Sequence, residues 1–166
     1  MANLPLDNSI KVFQNVCKSS KVVKSVESWG GLMFLGTYQP NLIGKGRIAL
    51  PKKIRNELAG ERMVLTIGFD KCIFGFSEKD WEEIIKPELS RPLFSDPEGR
   101  ELRRKMCMEA AVVSLDSQGR FVMPEPMMKF AGIEEGLTLI GAGDHYEIWD
   151  STSWKNYLTK IENKEK

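Results

Sequence analysis

Histidine and cysteine are scarce in this chain, and their scarcity narrows the chemistry open to it. His145 is the single histidine, and Cys17, Cys72 and Cys107 include no C-x-x-C pair. A closed zinc site takes about four such ligands at short spacings, so no metal site is expected. Three widely spaced cysteines also argue against a disulfide framework and suit reduced thiols in a cytoplasm. The sequence has no G-x-S-x-G elbow, no H-E-x-x-H helix and no phosphate-cradling loop, so neither catalytic residues nor a cofactor are expected. No stretch approaches the roughly 20 apolar residues of a membrane helix, and the opening residues lack the apolar core of an export signal. Charge of one sign is not in excess either: 24 Lys plus Arg stand against 23 Asp plus Glu, a net of +1. Any nucleic-acid surface must then come from local segregation of charge.

What the 166 residues do contain is an internal repeat. At an offset of 73, Leu42 matches Leu115, Gly46 matches Gly119, Arg47 matches Arg120 and Pro51 matches Pro124. Glu61 and Glu134, Ile67 and Ile140, Gly68 and Gly141, and Trp81 and Trp154 continue the match, with no gap over about forty residues. Two similar units in one short chain suggest a pseudo-two-fold arrangement in which each half covers apolar surface of the other.

Each unit reads alike. Gly44-Lys45-Gly46 signals a turn, and the next residues alternate so that Ile48 and Leu50 share one face while Arg47 takes the other. Pro51 is expected at the first position of a short helix in which Ile54 and Leu58 stack four apart. Strands are expected over 63–67 and 72–76, then a helix capped by Ser77 with Asp80 three residues on, ending before Pro87. The second unit repeats the order with strands at 110–115, through Phe121 and Met123, at 137–140 and at 146–149, and a last helix containing Trp154, Leu158 and Ile161. Trp81 and Trp154 read as core anchors. Between the units, Asp96-Pro97 is a cap and first-turn proline for a helix to about Met108. The expected class is α+β, mostly strand with short helices. The expected organisation is an extension over 1–32, mobile or translated from a start placed too early; a first unit over 33–88; a connecting segment over 89–108; a second unit over 109–161; and a frayed tail over 162–166.

Charge is segregated within this frame. From 44 to 56 there are five cations, Lys45, Arg47, Lys52, Lys53 and Arg55, and no acid. The equivalent stretch, 117–129, holds Arg120 and Lys129 against Glu125. The first unit is therefore the expected DNA face, and the second is expected to serve assembly or support. A single loop with two cations discriminates poorly, because one good bidentate base contact contributes about 1–3 kcal/mol.

Met33-Phe34-Leu35-Gly36-Thr37-Tyr38, Gly44-Lys45-Gly46-Arg47 with Pro51, Asp116-Ser117-Gln118-Gly119-Arg120 with Pro124, and Gly143-Asp144-His145-Tyr146-Glu147-Ile148-Trp149 together resemble the MraZ family of bacterial transcriptional regulators. The likeness spans 33 to about 161. The resemblance implies tandem AbrB-like, swapped-hairpin barrel units assembled into a ring-shaped homo-oligomer. It also implies binding to repeated DNA boxes upstream of the division and cell-wall gene cluster, and hence a cytoplasmic, nucleoid-associated protein. The DNA-contacting positions it implies are Lys45 and Arg47, with Arg120 their second-unit counterpart. Gly44, Gly46, Asp116 and Gly119 shape the two motif turns. One position departs from the family pattern: Ile43 replaces the first motif's acid, while Asp116 keeps the second. An Asp there bonds backbone amides ahead of it, so the first loop relies on its glycines.

Two other classes compete. An enzyme would draw on His145, Asp116, Ser114 or the cysteines, but these form no recognisable constellation. An antitoxin-like or purely architectural protein of the same fold would generally carry one DNA-binding unit and an unstructured tail. This chain reads as two folded units and a short polar end.

Overall fold

The alternation of short apolar runs with glycine turns produces nine strands and five helices in the computed structural model, which describes residues 33–58 and 60–164. The extension over 1–32 lies outside the described residues. The order is β1 (Phe34–Tyr38), β2 (Leu42–Ile43), β3 (Arg47–Ala49), α1 (Lys52–Glu57), β4 (Arg62–Ile67), β5 (Ile73–Ser77), α2 (Glu78–Ser90), α3 (Pro97–Met108), β6 (Ala111–Ser114), β7 (Arg120–Val122), α4 (Glu125–Ala131), β8 (Leu137–Gly143), β9 (Tyr146–Asp150) and α5 (Ser151–Lys164). The α+β class is as expected.

The strands pair across the repeats. One sheet runs β1-β8-β9-β5-β4-β6 and the other β2-β3-β7, with neighbours antiparallel. The two hairpins, β4-β5 and β8-β9, meet where Phe74 pairs with Glu147, residues that are equivalent at the offset of 73. Ile48 and Phe121, also equivalent, are each other's partners in the smaller sheet. A pseudo-two-fold axis therefore passes through both pairs. Each repeat also lends its first strand to the other: β1 pairs with β8, and β6 pairs with β4. The two units do not form a closed barrel, because β1 and β6 end the larger sheet as open edges and the smaller sheet is separate.

One hydrophobic core spans both sheets. Ile48 and Phe121 meet Met63, Leu65, Leu139 and Ile148, with Ile54 of α1, Leu58 just after it, and Met127 and Ala131 of α4 closing the cluster. Fully burying such a side chain contributes about 1.5–3 kcal/mol. Separating the repeats would forfeit much of that, so they fold as one body.

Several local expectations are met and a few corrected. Ser77 accepts the Asp80 N–H at 3.0 Å, and Asp96 accepts the Gly99 N–H at 2.9 Å, capping α2 and α3. Pro51 stands at the N-cap of α1, one residue before the helix. Helix α2 runs through Pro87 to Ser90, because a proline in the last turn removes only one backbone bond from a helix about to end. Helix α5 continues through Lys164, past the expected fraying point. Trp81 packs on Phe76, and Trp154 on Trp149 and Tyr157; both indoles are half-buried anchors.

Candidate nucleic-acid interface

The smaller sheet turns Ile48 and Phe121 inward, so alternation along its strands sends Ile43, Arg47, Ala49, Arg120 and Val122 to the opposite face. Register arranges them in two rows related by the pseudo-axis. The first row is Ile43, Arg47 and Val122. In the second, Asp116 donates its N–H to the Arg120 carbonyl, and Arg120 pairs with Ala49.

The scaffold is symmetric, but its chemistry is not. Asp116 Oδ1 accepts the N–H groups of Gln118 and Arg120, both at 2.9 Å, and Oδ2 accepts Arg120 Nε at 2.8 Å. The Arg120 backbone and guanidinium hold the Asp116 carboxyl below its ordinary pKa. Arg120 is thus half-buried and neutralised within its own turn. Among the described residues, the first turn carries no such clasp. It is closed by the Gly46 N–H donating to the Gly44 carbonyl at 3.0 Å, with both glycines left-handed at φ +55° and +82°.

Lys45, Arg47, Lys52 and Lys53 are exposed, and none is in an ion pair among the described residues. Lys129 of the second unit, by contrast, pairs with Glu125 at 2.6 Å. The structure therefore gathers Lys45 and Arg47 at one turn and strand, with Lys52 and Lys53 at the start of the following helix. Arg55 stands apart. Its side chain lies over Gly119, its Nη1 donates to the Gln118 carbonyl at 3.4 Å, and its Nε is buried without a partner among the described residues.

A matching contact exists on the other side of the pseudo-axis, where Met128, the equivalent of Arg55, covers Gly46. Each short helix thus braces the other repeat's motif turn. Reciprocal bonds reinforce the brace: the Leu50 N–H donates to the Gly119 carbonyl at 3.0 Å, and the Met123 N–H to the Gly46 carbonyl at 2.8 Å. Charge counting grouped Arg55 with the lysines. The offset of 73 held the missing signal, since it aligns Arg55 with an apolar residue. Val122 also escaped the sequence reading, because it reaches Arg47 only through pairing between repeats.

The fold and this face define an internally duplicated, strand-exchanged α+β protein with one open cationic motif turn and one clasped turn. Residues 33–105 and 106–166 each match the family described as MraZ protein, a description that adds an antitoxin-like label. The chain belongs to the MraZ family. It is 44% identical over 130 residues to the transcriptional regulator MraZ of Micrococcus luteus, covering 78% of this chain and 90% of that protein. It is 38% identical over 130 residues to the protein of the same name from Roseiflexus castenholzii, with the same coverage. The Acetivibrio thermocellus relative is 37% identical over 125 residues, 75% of this chain and 86% of that protein. No helix among the described residues is long and apolar enough to cross a membrane.

Proposed function

We propose that the chain is a sequence-specific DNA-binding transcriptional regulator that acts as a ring-shaped homo-oligomer. Its target would be repeated promoter boxes upstream of the division and cell-wall gene cluster, and its place the nucleoid. Residues 33–88 and 109–161 serve as the two AbrB-like units, with 89–108 between them. The observation that carries this reading is the exposed, acid-free group Lys45, Arg47, Lys52 and Lys53 beside a sheet face. Phosphate neutralisation by such cations supplies affinity, and a strand-borne arginine supplies base contact.

Exposed apolar surface supports the ring. Phe94, before α3, is 92% exposed. At the far end of α3 lies an apolar cavity of about 410 Å³ lined by Phe69, Phe74, Met106, Met108 and Phe130 among others. A 12-residue helix spans about 18 Å, so a chain cannot fill its own cavity with its own Phe94. A head-to-tail contact between copies would bury both, and such heterologous contacts form a ring when the rotation from copy to copy closes. Several weak loops acting together raise apparent affinity by about 10² to 10⁴.

The test is a footprint and mobility-shift titration on the DNA upstream of the chain's own gene. Arg47→Ala is expected to weaken binding by about 10-fold or more, and Arg120→Ala much less. Equal losses would contradict the assignment of the reading face. Raising salt should weaken wild-type binding in proportion to the phosphates neutralised, with a shallower slope for Lys45→Ala. The antitoxin-like label of the family favours a second reading, which a small toxin gene immediately downstream would support.

A further inference from the structure

We infer that Ile43 and Val122 read thymine methyl groups on either side of a guanine held by Arg47, so that one row of the smaller sheet carries the sequence preference. The inference rests on the DNA-binding reading above and names the side chains that would make that binding selective. Ile43 is 49% and Val122 54% exposed, on the solvent face and directly beside Arg47 on its two neighbouring strands. Large aliphatic side chains flanking an arginine with no ion-pair partner among the described residues gain nothing from water.

The dimensions suit a groove. Adjacent strands lie about 4.8 Å apart, so the outer members of a three-strand row are about 10 Å apart. The major groove is about 12 Å wide. There the thymine C5 methyl is the one apolar group on the base edges, and guanine O6 and N7 accept two bonds from an arginine. Charge selects this occupant over a second copy of the chain. Two such faces apposed would set Arg47 and Lys45 against their own kind, whereas the phosphates flanking a groove complement them.

The second row acts as an internal control. At the equivalents of Ile43, Arg47 and Val122 stand Asp116, Arg120 and Ala49: an acid that occupies the arginine, and a methyl group where a branched side chain would reach out. The two rows share a scaffold, but among the described residues only the first leaves its arginine without an ion-pair partner and flanks it with reach. Contact with base edges is therefore asymmetric about the pseudo-axis.

The experiment uses the full chain and a duplex of the footprinted upstream segment in which each thymine in turn is replaced by deoxyuridine, which deletes the C5 methyl alone. Wild type should lose about fourfold affinity at one or two thymines adjacent to a guanine, the worth of one buried methyl group. Ile43→Ser or Val122→Ser should bind the unmodified duplex correspondingly more weakly and lose its sensitivity at one of those thymines. Both residues are exposed, so these variants should keep the wild-type circular dichroism and particle size. A flat methyl scan with Arg47-dependent binding intact would overturn the inference alone, as would a scan unchanged in both variants or a change in particle size caused by them. Absence of any protection upstream, with Arg47→Ala indistinguishable from wild type, would overturn the parent reading as well.

Discussion

His145 sits under opposing influences. Its ring lies 5.3 Å from that of Phe76 and 4.7 Å from that of Phe74, while Nδ1 is 2.6 Å from Asp144 and Nε2 3.4 Å from Glu147. Burial pushes the imidazole pKa down, but hydrogen bonds to Glu147 and Asp144 and their charges outweigh it, leaving the group above its ordinary value. Glu147 shows the converse: burial would raise it, yet His145 and the Trp149 indole hold it low. A raised imidazole contributes stability that is fully present below about pH 6.5 and is lost as pH climbs through the raised value. Glu147 contributes above about pH 4.5 and fades as pH falls through its lowered value. The thermal midpoint should therefore drop between pH 6 and pH 9, and His145→Gln should flatten that slope. Differential scanning calorimetry across the pH series checks both. The cysteines differ as sharply. Burial, aided by the Glu147 charge, pushes the Cys72 thiol up to about 12, while Cys107 is exposed. Iodoacetamide on the native protein should alkylate Cys107 and spare Cys72 until the chain unfolds, as peptide mass spectrometry would show.

At the scale of elements, glycine shows where local reading stops. The sequence placed the end of the eighth strand near Ile140. In the fold, β8 runs on to Gly143, and a side chain on Gly141 would strike the β1 backbone at Phe34 and Leu35. The glycine is there so that an exchanged strand can approach. Gly141→Ala should cost about 1–3 kcal/mol in urea unfolding. Gly132→Ala, left-handed but with open space around it, should cost less. Helices α2 and α3 were legible because their signals lie within a few residues: a capping serine or aspartate, an acid or proline next, then an apolar stripe. The hairpins were legible for the same reason. The exchange of β1 and β6 was not, because an alternating pattern states which face a strand buries and not which strand lies beside it. The candidate face divides along that line. Lys45 and Arg47 follow from a turn and an alternation, whereas the place of Val122 and the bracing role of Arg55 come from contacts over 60 residues apart in sequence.

For the whole molecule, assembly and DNA affinity should stand or fall together. Phe94→Ser, at a side chain 92% exposed, should leave unfolding of the subunit unchanged and shift sedimentation toward smaller particles. Affinity for a multi-box promoter should fall by about 10² or more, while that for an isolated box changes little. Analytical ultracentrifugation beside a shift assay would separate the two effects. The exchange of first strands has a deeper reach. Half of this polypeptide could not close its own sheet, and would do so only by finding its twin, at a rate set by concentration. Joining the twins head to tail makes that meeting certain. It also frees each from being identical to the other, and the descendants of one arginine have taken different employment, one kept idle by its neighbouring carboxylate and the other held out to the solvent.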